Sequence, residues 1–292
     1  MKKIVAIVVT YNRKELLKRC VKLLQNQTVP VDVLVIDNAS TDGTKELFNN
    51  KEESVRYYNT GSNLGGAGGF NIGIKKAVEL GYDYLWILDD DTMPTPTALE
   101  AFMNEDKELD GQYGFLTSKV LWKDGAVCAM NIQKITKWKQ LNKFDAIHTV
   151  QYASFVSLFI KSSTVRKMGL PYKEFFIWAD DWEYTRRISQ NERCYFVPQS
   201  VVHHWCNTNV GANIITAELD RMDRFRYMYR NDVVMYRLDG IEGRIYLFIR
   251  NILHRLRIIK SGKNVGKKLA IIKNATKEGR LFYPQVEFPK GE

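Results

Sequence analysis

A chain of 292 residues, 45% hydrophobic and 26% charged, has enough apolar material for a sizeable core, which excludes a disordered chain. Its net charge of +10 points to an anionic partner, such as nucleic acid, a nucleotide or a membrane surface. No run of about 18 apolar residues occurs, so no transmembrane helix is expected.

The chain opens with Met1-Lys2-Lys3 and an apolar run, Ile4 to Val9, that stops at Thr10-Tyr11-Asn12. The run is too short for an export signal and reads as a buried first strand, Ile4–Thr10. Glu15–Leu24 carries Leu16, Leu17, Cys20, Leu23 and Leu24 at helical spacing. A second strand, Val31–Ile36, ends in the polar turn Asp37 to Gly43, which caps a helix from Thr44 onward. Val55–Tyr58 is a third strand. A glycine-rich segment, Gly61 to Gly69, then leads into a helix through Leu80. A fourth strand, Tyr84–Leu88, runs straight into Asp89-Asp90-Asp91. This alternation predicts an α/β fold with a mainly parallel central sheet flanked by helices. The stretch 115–160 reads as shorter strands and loops, and Tyr195–Val202 as another strand. From about 217 the chain reads as helices. The expected organisation is therefore a domain over 1–215 and a helical, basic region over 216–292.

Ligands of open α/β sheets bind at the carboxyl ends of the strands. Four polar clusters fall there: Thr10–Arg13, Asp37–Asp42, Asn63–Gly69 and Asp89–Asp91. One alone would be a turn; four together predict a site. In an extended triplet Asp89 and Asp91 point to one side and Asp90 to the other. Two carboxylates that close repel, and a divalent cation relieves the repulsion. The glycine segment lacks the GK[ST] ending of a P-loop, and it follows the third strand rather than the first, unlike a dinucleotide fingerprint. Its glycines let backbone N–H groups approach a phosphate. Asp37 is placed to accept hydrogen bonds from a ribose or a base, whereas Asp42 suits capping.

Further on, Asp180-Asp181 and Glu183 lie among aromatic residues, Phe175-Phe176-Ile177-Trp178 and Trp182. A low-dielectric setting raises carboxylate basicity, and aromatic faces suit stacking on sugar rings. The same residues also suit the start of a helix over Trp182–Ile188. His203-His204 ends the strand Tyr195–Val202. His204 is a candidate metal ligand, and an imidazole shifts preference from Mg²⁺ toward Mn²⁺. The four cysteines, Cys20, Cys128, Cys194 and Cys206, show no CxxC pairing and read as reduced cytosolic thiols. A zinc site from Cys194, His203, His204 and Cys206 would not fit any structural-zinc spacing.

These motifs together resemble the family 2 glycosyltransferases of the GT-A fold. They are Val8-Val9-Thr10-Tyr11-Asn12-Arg13, Asp37 to Thr44, Asn63 to Phe70, Leu88-Asp89-Asp90-Asp91, Trp178 to Glu183 and His203-His204-Trp205. The resemblance covers roughly residues 3–237. Within that family the chain is most similar to galactofuranosyltransferases, through its GGxGGF glycine segment, with rhamnosyltransferases close behind. The resemblance implies the following roles. Thr10, Tyr11 and Arg13 line the uridine and diphosphate pocket, with Asp90 beside them. Asp37 binds the nucleoside. Asn63, Gly65 and Gly66 lie along the diphosphate or donor sugar. Asp89 and Asp91, completed by His204, hold Mn²⁺ or Mg²⁺. Asp181 is the general base, and Asp180, Trp178 and Glu183 hold the acceptor. One departure stands out: galactofuranosyltransferases tend to place Trp directly before the paired Asp, and here Ala179 intervenes. The implied reaction is an inverting transfer from a nucleotide sugar, UDP-galactofuranose first and dTDP-rhamnose second, to a glycan or lipid-linked glycan in cell-surface polysaccharide synthesis.

From Arg244 to Arg280 eleven Lys or Arg face one acid, Glu278, interleaved with Ile245, Leu247, Phe248, Ile252, Leu253, Leu256 and Ile259. This pattern fits an interfacial helix on an anionic membrane or a helix packed on the domain with a solvated basic face. The expected location is the cytoplasm or the cytoplasmic face of a membrane. Nucleic acid is the weaker partner, since no recognised motif accompanies the charge. A non-catalytic nucleotide-sugar sensor remains as a reading from another class. A nucleotidyltransferase would need a glycine-rich basic loop after the first strand, which Thr10–Arg13 lacks.

Overall fold

The computed structural model describes residues 2–49 and 53–290. Strand β1 (Ile4–Thr10) is buried at every position, as a central strand covered on both faces must be. Helix α1 (Lys14–Gln25) turns Leu17, Cys20, Val21 and Leu24 inward. β2 (Asp32–Asp37) and β3 (Val55–Asn59) follow, with helix α2 (Gly65–Glu79) and β4 (Tyr84–Asp89) after them. β1 lies between β2 and β4, parallel to both, with Val9 beside Ile36 and Asp89. The remaining strands are β5 (Thr92–Pro94), β6 (Phe115–Trp122), β7 (Lys134–Thr136), β8 (Lys139–Gln140), β9 (His148–Thr149), β10 (Leu158–Lys161) and β11 (Tyr195–His204). Between and after them run helices α3 (Ala98–Glu108), α4 (Ser162–Met168), α5 (Asp180–Ser189), α6 (Leu219–Met222), α7 (Phe225–Arg237), α8 (Gly240–Ser261) and α9 (Val265–Leu281).

The main sheet runs in the order β3-β2-β1-β4-β10-β6-β11-β5, with β9 on β11. Its β3-β2-β1-β4 half is parallel, as expected. Its other half is mixed, because β10 runs antiparallel to both β4 and β6. A register shift interrupts the β6–β11 pairing between Val197 and Val201. Pro198, which has no N–H to give to a ladder, lies in that gap. Beyond it β11 continues to His204, and Asp91 joins the same region through its carbonyl, which accepts from Trp205 N–H at 2.8 Å. The two faces of the sheet bury separate apolar clusters, one around Phe70, Ile74 and Tyr184, the other around Leu17, Trp86 and Phe102.

Two expectations change. After the Asp37–Gly43 turn the described chain forms only a short 3-10 turn, Lys45–Phe48, rather than a helix from Thr44. Asp42 is engaged on both sides, accepting from the Thr44 hydroxyl and, at 2.9 Å, from the Lys14 N–H that opens α1. Of the expected continuation, residues 50–52 lie outside the described residues. The glycine segment is not a loop before a helix either; from Gly65 it is the helix. A Cβ at Gly69 would lie 2.5 Å from Val9 Cγ1, and one at Gly73 2.5 Å from Ile7 Cγ2. Those glycines let α2 sit closer to β1 than any side chain would permit.

The C-terminal helices pack back on the first part of the chain. α7 packs against α5 and α9. The final segment returns along α2 and α4: Leu170 N–H donates to Glu287 O at 2.8 Å, and Lys173 pairs with Glu287 at 3.0 Å. Among the described residues no helix is long and apolar enough to cross a membrane.

Candidate active site

The three aspartates after β4 divide as an extended chain would divide them. Asp90 turns toward β1 and accepts from Thr10 Oγ1 at 2.7 Å and Arg13 at 3.2 Å. Asp91 accepts from Arg13 at 2.7 Å on Oδ2, and its Oδ1 lies 3.1 Å from His204 Nε2. That last pair is close enough to attract, yet the buried Oδ1 has no well-directed hydrogen bond. Candidate ligand atoms of Asp89, Asp91 and His204 all lie within 4.8 Å of one another.

Electrostatics sharpen the picture. Burial, and then the charge of Asp91, push the Asp89 carboxyl up to about 7. Burial pushes Asp90 up to about 6, against the opposing pull of Arg13. For Asp91 burial is outweighed by His204 and Arg13, which hold it below the usual carboxylate range. Two adjacent carboxylates and an imidazole that already shift one another mark a place where a cation lowers the energy. The residues fit a divalent metal: two carboxylates, one orphaned buried oxygen and one imidazole nitrogen on the same side.

His204 is oriented from behind. Its Nδ1 lies 2.8 Å from Asn131 Oδ1, and the Asn131 amide nitrogen donates to Ser154 at 3.0 Å. With the amide so fixed, Nδ1 carries a proton; although burial opposes it, Asp91 at Nε2 raises His204 to about 11, so a metal would have to displace the Nε2 proton to be ligated there. Cys128 and Cys206 lie on the Nδ1 side. Cys194 is remote from them, buried at the start of β11 against Gly114.

The second acidic cluster opens α5. Phe176, Trp178 and Ala179 all have positive φ, at 64°, 66° and 65°. Non-glycine residues so placed cost about 1–3 kcal/mol each and persist only when the surroundings enforce them. The enforcing group is Asn231 of α7, fully buried. Its side-chain amide donates to Phe175 O at 3.0 Å, Ile177 O at 3.1 Å and Trp178 O at 2.9 Å. α2 supports the loop from the other side. Ala67 N–H donates to Phe176 O at 3.2 Å, and a Cβ at Gly65 would lie 2.0 Å from that oxygen.

The loop delivers Asp180 and Asp181 at a helix N-terminus. Burial pushes Asp180 up to about 6. Burial raises Asp181 well above its ordinary value, with the charges of Asp180 and of Asp89 adding to it. Asp181 accepts from Trp182 N–H at 2.7 Å on one oxygen. Lys134 faces the same place, its Nζ 3.6 Å over the Trp182 ring. Burial pulls that lysine down to about 8.

Other expected residues sit differently. Glu183 has no exposure, and both its oxygens bind Arg187, at 2.9 and 3.1 Å. Asp37 is also buried, accepting from Ser40 N–H at 2.8 Å and from the Tyr57 hydroxyl at 2.6 Å. It shapes the turn after β2 rather than offering an open carboxylate. Asn63 caps α2 by accepting from Gly65 N–H at 2.9 Å. Gly66 has nothing within 4 Å of its Cβ position. Tyr11 is exposed beside Arg13, whose guanidinium is half-exposed. Trp178 packs on Phe225 of α7 with ring centroids 5.1 Å apart. His203 points away from His204, as alternate strand positions must. Asn131, Asn231 and Lys134 were not legible as site residues: single amides or lysines outside a motif carry no local signal.

Comparison with known proteins bears on the fold and the kind of reaction. Residues 5–115 match the model of glycosyl transferase family 2. Galactofuranosyltransferase GlfT1 of Mycolicibacterium smegmatis is 25% identical over 244 residues, covering 77% of this chain and 80% of that one. Poly(ribitol-phosphate) beta-N-acetylglucosaminyltransferase TarP of Staphylococcus aureus is 26% identical over 213 residues, covering 68% and 60%. The crystal structure of S. aureus TarS 1-349 has a TM-score of 0.56 at 14% identity, covering 99% of this chain and 98% of that one. GalNAc-T7, crystallised with UDP, GalNAc and Mn²⁺, has a TM-score of 0.66 at 13% identity, covering 96% of this chain and 56% of that one. The two structures show a shared fold. The sequence relatives are named for different sugars but for one kind of reaction: the chain is a glycosyltransferase of the GT-A fold, and its residues 5–115 match glycosyl transferase family 2.

Proposed function

We propose that the chain is an inverting, metal-dependent galactofuranosyltransferase that moves galactofuranose from UDP-galactofuranose to a glycan or lipid-linked glycan acceptor. The observation that carries the reading is the group Asp89, Asp91 and His204, whose candidate ligand atoms lie within 4.8 Å of one another, with Arg13 on Asp91 at 2.7 Å. Asp89, Asp91 and His204 would hold Mn²⁺ or Mg²⁺, which would supply counter-charge to the departing diphosphate. Arg13 and Tyr11 lie where the nucleotide and diphosphate would lie, beside that group. Asp181, made basic by burial, takes the proton of the acceptor hydroxyl as it attacks the anomeric carbon. One base on the side opposite the leaving group gives inversion. Asp180 and Trp178 would flank the acceptor.

The galactofuranose donor is supported by the similarity to GlfT1 and by the GGxGGF segment. The test is donor hydrolysis with Mn²⁺ across UDP-galactofuranose, UDP-galactopyranose, UDP-glucose and dTDP-rhamnose, read as free nucleotide diphosphate. Turnover with UDP-galactofuranose alone, lost in Asp91→Ala, supports the proposal. Turnover with dTDP-rhamnose keeps the mechanism and overturns the donor.

A further inference from the structure

A cavity of about 520 Å³ opens between α7, α8 and α9, away from the carboxylate cleft. Its walls are apolar, including Val233, Leu247, Phe248 and Ile252, and its rim carries Arg244, Arg255 and Arg280. No acidic residue lines it. Arg237, also at the rim, is already held by Phe282 O at 3.0 Å and Gly279 O at 2.9 Å. The other three arginines are exposed, and among the described residues no ion pair is formed by them.

Two polar atoms at the cavity are orphaned. Asn251 is 6% exposed and lines the cavity, yet its Oδ1 has no hydrogen-bond partner. Thr276 Oγ1, across on α9, is buried and unpartnered as well. Leaving such groups bare costs about 1–3 kcal/mol each. Both atoms lie beneath the cavity surface, so the groove's recognition rests on its arginines and its apolar wall.

The cavity opens beside an apolar stripe. Ile241, Ile245, Phe248, Ile252, Leu256 and Ile259 recur at steps of three and four along α8, and all are exposed. Ile241 is 77% exposed and Phe248 66%. Such a stripe, edged by basic residues on a helix of 22 residues, has the form of an interfacial helix. Phe248 and Ile252 belong to both features, so the stripe runs into the cavity.

We propose that this groove binds the headgroup of an anionic membrane phospholipid, its phosphate at Arg244, Arg255 and Arg280 and its hydrocarbon chain along the α8 stripe. The cluster of arginines favours a headgroup of net negative charge over a zwitterionic one, and the exposed stripe favours a lipid over a free phosphate. The site is independent of the donor sugar and of catalysis, and its test reads neither.

The experiment is vesicle co-sedimentation of the full chain. Vesicles contain phosphatidylcholine alone or with about a third phosphatidylglycerol. The proposal expects at least tenfold tighter binding to the phosphatidylglycerol vesicles. Arg244→Glu with Arg255→Glu should remove that preference. Phe248→Ser with Ile252→Ser should weaken binding at least tenfold with charge unchanged. Circular dichroism melting establishes that each variant is folded. Equal binding to both vesicles overturns the proposal. So does wild-type binding by the Phe248 and Ile252 variant, which would mean charge attraction without a groove. Full displacement by millimolar inorganic phosphate, at constant ionic strength, overturns it in favour of a free-phosphate site.

Discussion

Asn231 holds the carbonyl of Trp178 at 2.9 Å, from a helix more than fifty residues later in the chain. That bond, with its two partners on Phe175 and Ile177, fixes the backbone that aims Asp180 and Asp181 into the cleft. The helical C-terminal region is therefore part of the site's construction, whatever else it binds.

Asn231→Ala releases three carbonyls and three strained residues. We expect kcat to fall about tenfold or more, since small misplacements of a catalytic group are costly, while UDP affinity by calorimetry stays within about twofold. Equal loss of both would make Asn231 a general stabiliser and not a positioning residue for the loop. The pH profile of kcat should also shift in Asn231→Ala, because Asp181 would gain solvent.

Asn131→Ala removes the partner of His204 Nδ1. Loss of an outer partner of a metal-ligating histidine lowers metal affinity about 10–100-fold. Manganese titration followed by the electron paramagnetic resonance of the free ion reads this directly. Unchanged affinity would remove His204 from the metal shell.

Asp181→Asn keeps size and shape but abolishes basicity. Transfer to acceptor should fall about 10²–10⁴-fold, with Mn²⁺ and UDP binding retained. Near-normal transfer would move the base elsewhere on the cleft.

Gly65 has φ +72°, and a Cβ there would meet the Phe176 carbonyl at 2.0 Å. Gly65→Ala should lower stability by about 2–4 kcal/mol. Gly66→Ala, with open space around it, should change stability by less than about 1 kcal/mol. Thermal melting of the pair distinguishes a packing requirement at Gly65 from general glycine permissiveness.

Burial, with help from Arg250 and Arg257, pulls His254 down to about 4 in the folded chain, from 6.5 as the ordinary value. Between those values the unfolded chain binds the extra proton. The sign is then fixed: stability from a neutral His254 is complete above about pH 6.5 and is lost as pH falls toward 4. Partial exposure reduces the effect to about 1–2 kcal/mol. The melting temperature of His254→Gln should fall less than that of the native chain over this window. Parallel curves would show that His254 is not the titrating group.

Much of this protein is local in origin. The continuous apolar run Ile4–Val9 can only be a doubly covered strand, and the strand ends carry Thr10, Arg13 and the aspartates because polar residues must leave the sheet there. Those features are set by residue type and period within a few positions, and so the fold class and the position of the aspartates at a strand end are read from sequence alone. Glycines mislead at the same level, since Gly65 to Gly69 have the composition of a loop but are helical; only the Val9 and Phe176 atoms pressed against them explain the requirement. At Asp37 and Glu183 the carboxylate's partner, Tyr57 or Arg187, decides how it is buried, and neither partner is announced by the motif. What the tertiary structure alone decided is the meeting of distant groups: Asn131 behind His204, Asn231 under the Trp178 loop, Lys134 over the Trp182 ring. Such meetings depend on how the β11 strand and the α7 helix cross the sheet. Hydrogen bonds act over a few ångströms in space and carry no trace along the chain.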